Sequence, residues 1–407
     1  MRRMQFILLA LLACLLPAGS AAAAETPVSG IIPRTTVVHP WYAQHMDVSR
    51  LLEERRDIAP QLFSSSEPAE YVSMEEAEHY LIEQMKKREE TITLHYWKQQ
   101  SFAESLPESA RKSVAIYDFP NKLRYNYLDR EDPAGGDYVF WSYLFFDYEG
   151  DYSLREGTAD ILDVTVTLTV TYYSTPEQEA AVDAELPRVL ASLDLDGKSD
   201  YQRICTVYDY LCQNITYDYE HWEDDDYYPQ FTAYAALIEH KAVCQGYANL
   251  FYRMMLSLGI DCRIVVSDGH AWNIVRLGGM YYNADATWDA ENQAESGRYD
   301  LFLRSKAYFD QVDSHTRQTG IYSGTPQFYR DYPESDIDYI TYSRGDVNGD
   351  SAVDAADLTV LARHVAKIEE ITSPALMTNA DTDKDKTVAA SDLTRLARYV
   401  ARIISEF

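Results

Sequence analysis

The sequence predicts an α+β protein built from three consecutive parts. The first part mixes helices with a strongly alternating strand, DVTVTLTVTYY at 163–173. The second places a cysteine at the start of an amphipathic helix, ahead of a two-stranded hairpin. The third repeats an aspartate-rich loop followed by a helix, which predicts a small all-α module. A chain of 407 residues is long enough for each part to bury a core.

The charge of the chain limits its partners. The formal net charge is -29 and the pI is about 4.6. Such a chain repels phosphate backbones, so we expect no nucleic-acid partner. The same acidity suits divalent cations. After the first residues, no stretch is apolar enough to predict a transmembrane segment.

The first 24 residues have the pattern of a secretion signal. Arg2 and Arg3 form a basic start, 6–16 is an apolar run too short to span a bilayer, and Ala22 and Ala24 give a small-x-small cleavage site. We therefore predict a signal peptide over 1–24 and a secreted, extracellular protein. The alternative is a lipoprotein, because Leu11-Leu12-Ala13-Cys14 also fits a lipidation signal at Cys14.

A leading α+β domain is predicted over 25–195. Ser73 followed by acidic residues predicts the start of a helix that runs to about Lys87. The segment 91–96 alternates like a strand, and Ser174-Thr175-Pro176 predicts another helix start. No catalytic constellation is found in this domain.

The domain predicted over 196–325 contains four cysteines, for which we predict different roles. Cys205 and Cys212 lie on one predicted helix, roughly 10 Å apart in rise, which is too far for a disulfide. They are predicted to be small core residues. Cys244 comes at the start of AVCQGYANLFYRMMLSLG, whose apolar face and final Gly259 predict a helix. The positive end of that helix favours a thiolate, and the backbone N–H of Cys244 is available to an oxyanion.

The next segment predicts a hairpin that joins an imidazole to a carboxylate. Gly278-Gly279 forms a two-residue turn between the strands 270–277 and 280–287. Counting outward from this turn pairs His270 with Thr287, so Asp285 lies diagonal to His270 on the same face. Taken singly, each residue has an ordinary structural role: a buried thiol, a surface histidine, a turn cap. Together they have the geometry of a nucleophile, a base and an orienting acid.

The runs AVCQGYA, GHAWNIV and YYNADATWD resemble the three motifs of the transglutaminase-like superfamily, which shares its core with papain-like thiol enzymes. The resemblance spans about 199–317 and implies a papain-like core. It implies Cys244 as nucleophile, His270 as general base and acid, and Asp285 as orienter of the imidazole. The residues that it implies as support, with Tyr234 as candidate oxyanion partner, are Tyr234, Trp272, Asn273, Trp288 and Asp289.

This chemistry predicts a thioester intermediate formed from an amide and needs no catalytic cofactor. Attack by water gives peptidase, amidase or deamidase activity, and attack by an amine gives transglutaminase activity. We favour hydrolysis of a protein or peptide substrate. One alternative is a non-enzymatic binding component. A second, which rests on the C-terminal module described below, is a component of polysaccharide degradation.

The C-terminal part predicts two calcium sites. Aspartates and one asparagine alternate in two loops, and each loop ends in an acid at position twelve, a spacing typical of EF-hand loops. The second loop has Ala389 at position nine, so we expect a water ligand and weaker binding there. The predicted ligands are Asp346, Asn348, Asp350, Asp354 and Asp357 in the first loop, and Asp381, Asp383, Asp385 and Asp392 in the second.

Two loop–helix units without a preceding helix resemble a dockerin, the module that docks into cohesin domains of cellulosome scaffolds. The resemblance covers about 344–405; we assign 343–407 to this domain and 326–342 to a linker. It implies two Ca²⁺ ions, a cohesin partner and a cellulosome-like location. The cohesin-binding positions that it implies are Ala355, Ala356, Arg363, His364, Ala390, Ser391, Arg398 and Tyr399.

Overall fold

The computed structural model describes residues 29–39, 70–99, 128–158, 161–221, 224, 227–296, 299–319, 321–339, 344–350 and 352–407. The predicted signal peptide, with Cys14, lies outside these residues. The described chain mixes helices and strands, which confirms the predicted α+β class.

The leading part forms an antiparallel four-stranded sheet flanked by helices. Its strands stand in the order β1-β3-β4-β2. The alternating run 163–173 is the central strand β4, as predicted, with a buried valine or leucine at most second positions. In chain order the elements are β1 (Ser29–Val38), α1 (Met74–Lys86), β2 (Thr91–Gln99), α2 (Asp137–Phe140), β3 (Tyr143–Leu154), β4 (Ile161–Tyr172) and α3 (Pro176–Ser192).

Both helix starts predicted in this part are confirmed. Ser73 and Glu76 form a capping box at α1, in which each side chain hydrogen-bonds to the other residue's backbone N–H. Thr175 and Gln178 form the equivalent box at α3, and Pro176 takes the first helical position, where a missing N–H costs nothing.

The middle part packs its central helix, Cys244–Ser257, against a three-stranded antiparallel sheet in the order β7-β8-β9. A two-residue parallel pairing, β5 with β6, comes just before the central helix α5. The elements are α4 (Asp200–Asn214), β5 (Thr216–Tyr217), β6 (Lys241–Ala242), α5 (Cys244–Ser257), β7 (Cys262–Val266), β8 (Ala271–Leu277), β9 (Met280–Ala284), α6 (Ala286–Ser296), α7 (Lys306–Phe309) and α8 (Pro326–Asp331).

The predicted hairpin register is confirmed, but the predicted end of its second strand is wrong. Leu277 pairs with Met280 across Gly278-Gly279, and Asn273 pairs with Ala284. The chain then turns into α6 at Ala286 instead of continuing to Thr287. The cause is Asp285, whose Oδ1 accepts the backbone N–H groups of Thr287 (2.9 Å) and Trp288 (3.3 Å) and so begins a helix.

The leading part contacts α5 and β7 through buried polar groups of the segment 137–141. Gln245 donates to the carbonyl of Trp141 at 2.9 Å. Arg263 on β7 makes two 2.7 Å hydrogen bonds to Asp137, and its guanidinium lies over the ring of Tyr332. The two parts also share one hydrophobic core.

The C-terminal module, defined here as 344–407, consists of two loops and three helices. The helices are α9 (Ala355–Val365), α10 (Pro374–Ala380) and α11 (Ala390–Val400). The helices after the loops, α9 and α11, were predicted; α10, which connects the two units, was not. The module has its own small core of Val347, Leu361, Ala380 and Leu396.

The C-terminal module contacts the start of α4. Tyr201, buried on α4, accepts a 2.6 Å hydrogen bond from Asn379 of α10. Gln202 donates to the carbonyl of Asn348 at 2.8 Å, and Ser199 donates to the carbonyl of Gly349 at 2.9 Å. The first loop is therefore joined to the middle part by its own backbone.

Candidate functional site

Cys244 is the first residue of α5, as predicted. The preceding Val243 has no side chain that could cap the helix, so the first N–H groups of α5 and its positive end face the thiol region. Cys244 is buried, with only 6% of the residue exposed.

Gly246, in the first turn of α5, allows the helix start to pack closely against its surroundings. A Cβ at this position would lie 2.7 Å from the Cβ of Ala242 and 2.9 Å from the carbonyl oxygen of Thr232. A side chain here would therefore push Cys244 away from its position.

The hairpin ends bring His270 and Asp285 together. Nε2 of His270 lies 2.7 Å from Oδ2 of Asp285, and both side chains are buried. His270 comes one residue before β8 and Asp285 one residue after β9, so the confirmed register sets this contact. Asp285 therefore has two tasks: Oδ1 starts α6 and Oδ2 holds the imidazole.

The thiol of Cys244 faces the ring of His270. Burial opposes a charged imidazole, but the Asp285 carboxylate and a side-chain hydrogen bond with Cys244 prevail and raise the pKa of His270 to about 10. Because Asp285 occupies Nε2, Nδ1 is the nitrogen left for the thiol. An imidazolium beside a thiolate is the ground state that a cysteine nucleophile needs.

A second histidine reaches the same carboxylate, which the sequence motifs did not predict. Nε2 of His315 lies 2.9 Å from Oδ2 of Asp285, and Nδ1 lies 2.7 Å from the carbonyl oxygen of Asp313. Burial alone would raise the pKa of Asp285, but the two imidazoles hold it well below its usual range. His315 lies in an irregular segment between α7 and α8, where no periodicity marks it.

Two tryptophans line the imidazole, and their supporting role stays a prediction. Trp272 stacks near His270 at 5.9 Å between ring centroids, and Trp288 lies at 5.7 Å. Asn273 points the other way and donates to the carbonyl of Ala248 at 3.0 Å, which ties β8 to α5. Tyr234 packs against the core at the start of a π-helical turn, Ala235–Glu239. Its oxyanion role stays a prediction.

Tyr217 and Asp289 complete the surroundings. Burial and the nearby Cys244 raise the pKa of Tyr217, so its phenol stays protonated. Burial raises the pKa of Asp289 to about 8, although it accepts hydrogen bonds from Tyr208 and the backbone of Leu301. Asp289 thus fixes α6 to α4 and does not touch the imidazole through any described hydrogen bond.

The other three cysteines of the described chain are buried and free, and burial raises the pKa of each thiol. This agrees with the core role predicted for Cys205 and Cys212. Cys262 lies on β7 and is also fully enclosed.

In each C-terminal loop, the acid at position twelve accepts backbone N–H groups of its own loop. In the first loop, Asp357 accepts the backbone N–H groups of Val347 and Asn348 with one oxygen and that of Asp354 with the other. In the second, Asp392 holds Thr382, Asp383 and Ala389 in the same way.

This donor set fits a hard cation. One carboxylate oxygen from each of Asp381, Asp383 and Asp385 lies within 4.8 Å of the others. In the first loop, burial and repulsion from Asp350 raise the pKa of Asp357. Oxygen donors gathered in this way are the ligands that Ca²⁺ prefers.

Comparison with known proteins resolves both regions. Residues 188–286 match the family model of the transglutaminase-like superfamily, and residues 344–401 match that of the dockerin type I domain. The chain contains a transglutaminase-like core and a type I dockerin. Both resemblances predicted from the motifs are confirmed.

Two curated relatives are similar to part of the chain. They are the kyphoscoliosis peptidases of Mus musculus, 29% identical over 147 residues, and of Homo sapiens, 29% identical over 140 residues. These stretches cover 32% and 30% of this chain, but only 22% and 21% of the relatives. The chain therefore spans about a fifth of the length of the curated relatives that it matches.

Two solved structures are also similar in part. A crystal structure of a TGase has 17% identity and a TM-score of 0.25, covering 49% of this chain and 52% of that one. A crystal structure of menin has 15% identity and a TM-score of 0.23, covering 56% and 52%. These TM-scores are too low to bear on the fold or the function.

A dockerin implies a cohesin partner and an extracellular association of the cellulosome type. In the described dockerin, Ala355, Ala356, Ala390 and Ser391 are exposed at the starts of α9 and α11. Arg363 and Arg398 are exposed further along these helices. His364 accepts the backbone N–H of Ile371, and Tyr399 stacks on Phe407 at 4.3 Å, so these two also have structural roles. No described helix is both long and apolar enough to cross a membrane.

Proposed function

We propose that this protein is a secreted cysteine enzyme that hydrolyses peptide or other amide bonds and is attached to a cohesin-bearing scaffold by its dockerin. The observation that carries the proposal is the 2.7 Å contact between His270 and Asp285 beside a thiol at a helix start. The names of the curated relatives, both peptidases, favour hydrolysis.

The proposed reaction uses the three side chains in turn. The Sγ thiolate of Cys244 attacks the amide carbonyl carbon, and the backbone N–H of Cys244 donates to the oxyanion. When the C–N bond breaks, His270 gives its proton to the leaving amine and a thioester remains. Water, deprotonated by His270, then attacks the thioester, which releases the acid and restores the thiol. Asp285 keeps the imidazole in the required orientation throughout.

In the dockerin, we infer that each loop holds one Ca²⁺ through its alternating oxygens. The cation supplies the positive charge that Asp357 and Asp392 lack. Bound calcium fixes the loops and thereby orients α9 and α11 towards the cohesin. Binding to cohesin should therefore fall in excess chelator, and undiminished binding would contradict this part of the proposal.

The first experiment is alkylation of the purified protein with iodoacetamide at about pH 6, where an ordinary thiol reacts slowly. Cys244 should be labelled well before the internal controls Cys205, Cys212 and Cys262. Labelling should be lost in His270→Ala. If all four cysteines react at one slow rate, the protein has no activated thiol and a binding role becomes the better proposal.

The second experiment determines the reaction. Wild type and Cys244→Ala are incubated with a peptide library, with and without a primary amine. New peptide termini in the wild type alone indicate peptidase activity, whereas loss of side-chain ammonia indicates deamidation. Amine incorporation would replace hydrolysis by transglutaminase activity as the main reaction.

A further inference from the structure

We propose that His315 is a positioning residue, an imidazolium that bridges Asp285 and the carbonyl of Asp313 and so sets the pH range in which Cys244 and His270 form a reactive ion pair. This inference rests on the proposed thiol chemistry. It concerns a histidine that lies outside the three motifs of the family.

The hydrogen bonds require protons on both ring nitrogens. Nδ1 of His315 faces the carbonyl oxygen of Asp313 at 2.7 Å, and a carbonyl oxygen only accepts. Nε2 faces Oδ2 of Asp285 at 2.9 Å, and an ionised carboxylate also only accepts. A neutral imidazole has one donor nitrogen, so it could satisfy only one of these contacts.

The surroundings suit a cation. His315 is fully buried, and its ring centroid lies 4.9 Å from those of Trp272 and Phe309 and 4.8 Å from that of Trp288. Aromatic rings at such distances attract a desolvated positive charge. Together with the paired carboxylate, they make up for the water that His315 has lost.

The other charges near this group are accounted for. The imidazole of His270 shares Oδ2 of Asp285 at 2.7 Å. Beyond Trp272, Arg317 is paired with Glu334 at 2.9 Å. Asp289 is buried, with its pKa raised to about 8. Asp313 contributes its carbonyl, whereas the residue as a whole is exposed to water. Asp285 is thus the one described anion in hydrogen-bond contact with His315.

The charge balance gives His315 its task. With two imidazolium groups, one carboxylate and one thiolate, the buried site is neutral overall. Without the charge of His315, Asp285 would hold the proton of His270 more tightly, and the thiolate would lose a nearby cation. Both changes move the reactive range to higher pH.

The first test reads the protons directly in the wild-type full chain. The ¹⁵N chemical shifts of the His315 ring should show two protonated nitrogens even above about pH 6.5, where an unperturbed imidazole is neutral. A single protonated nitrogen would overturn the proposal. This readout does not require Cys244 to be reactive, so it separates the inference from the proposed function.

The second test uses His315→Gln, which keeps one N–H donor and removes the charge. The alkylation rate of Cys244 is measured against pH, with His95→Gln on the leading sheet as the matched control. In His315→Gln both limbs of the profile should move upward by about one pH unit. A purely structural role would lower the rate or the stability and leave the limbs in place, which would contradict the proposal.

Discussion

Asp285 and Asp357 are both buried carboxylates at the start of a helix, yet their surroundings shift their pKa values in opposite directions. Two imidazoles lower the pKa of Asp285, whereas burial and a neighbouring carboxylate raise that of Asp357. The region around Asp285 contains its own positive charges, whereas the loop 346–357, which contains Asp357, has no lysine, arginine or histidine. The comparison shows how a carboxylate can be used inside a protein, either as an internal partner or as a ligand for an ion from outside.

The largest expected effect distinguishes the role of Asp285 from that of Asp357. Asp285→Asn should leave the fold intact but misorient His270, lowering turnover by about 10⁴-fold and slowing alkylation of Cys244. Asp357→Asn should leave alkylation unchanged. The rates at about pH 6 are compared with the circular dichroism of each variant. Equal alkylation in Asp285→Asn and wild type would contradict the role of Asp285.

A second effect concerns calcium affinity. Asp357→Asn and Asp392→Asn should each weaken one site about tenfold or more, because each removes a charged oxygen at position twelve. Titration calorimetry of the full chain measures both sites, and Asp285→Asn serves as the control. If both loops of Asp357→Asn keep the wild-type affinity, Asp357 is not a ligand.

The difference between the two loops can be tested by exchange. Asp354→Ala gives the first loop the alanine of the second, and Ala389→Asp does the reverse. We expect the first change to lower and the second to raise calcium affinity at the altered site, each by a few-fold. Asp354 also caps α9, so its variant should lose about 1 kcal/mol of stability as well.

The opposite pKa shifts predict opposite pH dependences of stability. Asp285 stabilises the catalytic part above about pH 3.9, and this contribution is lost as pH falls through its lowered pKa. His270 stabilises it below about pH 6.5, and this is lost as pH rises towards its pKa of about 10. Asp357, whose pKa is raised, makes the calcium-free dockerin less stable as pH rises through that pKa.

Urea unfolding measures these dependences in the calcium-free full chain. Tryptophan fluorescence follows the catalytic part, since the sequence from 344 onward has no tryptophan. Amide NMR signals of α9 and α11 follow the dockerin. Parallel pH profiles in the two parts would mean that the charges described do not govern their stability.

The smallest effect concerns the contact between dockerin and catalytic part. Gln202→Ala removes the hydrogen bond to the carbonyl of Asn348 and should cost about 0.5–1.5 kcal/mol. Lys384→Ala serves as the control. Lys384 is exposed and occupies the position in the second loop that Gly349 occupies in the first. Unchanged exchange protection of α10 amides in Gln202→Ala would contradict this coupling.

Local signals in the sequence were enough to predict much of the fold and the candidate site. The caps at Ser73 and Thr175, the Gly278-Gly279 turn and its register follow from residues close in sequence. The helix after Asp285 was missed because the sequence pattern of the strand continues past this residue. The helix start depends instead on hydrogen bonds from two backbone N–H groups to Oδ1 of Asp285. His315 was missed because it meets Asp285 through the packing of an irregular segment, 30 residues away in sequence.

The contact of the first calcium loop with α4 has a consequence for how the enzyme is presented. Gly349 adopts a positive φ of 75°, and a Cβ there would lie 2.8 Å from the side chain of Gln202. The dockerin is thus fixed to the middle part of the chain. If a cohesin binds the dockerin, as proposed, it also fixes the direction in which the Cys244 end of α5 faces. Other proteins bound to the cohesin-bearing scaffold would then meet the Cys244 region at a constant angle.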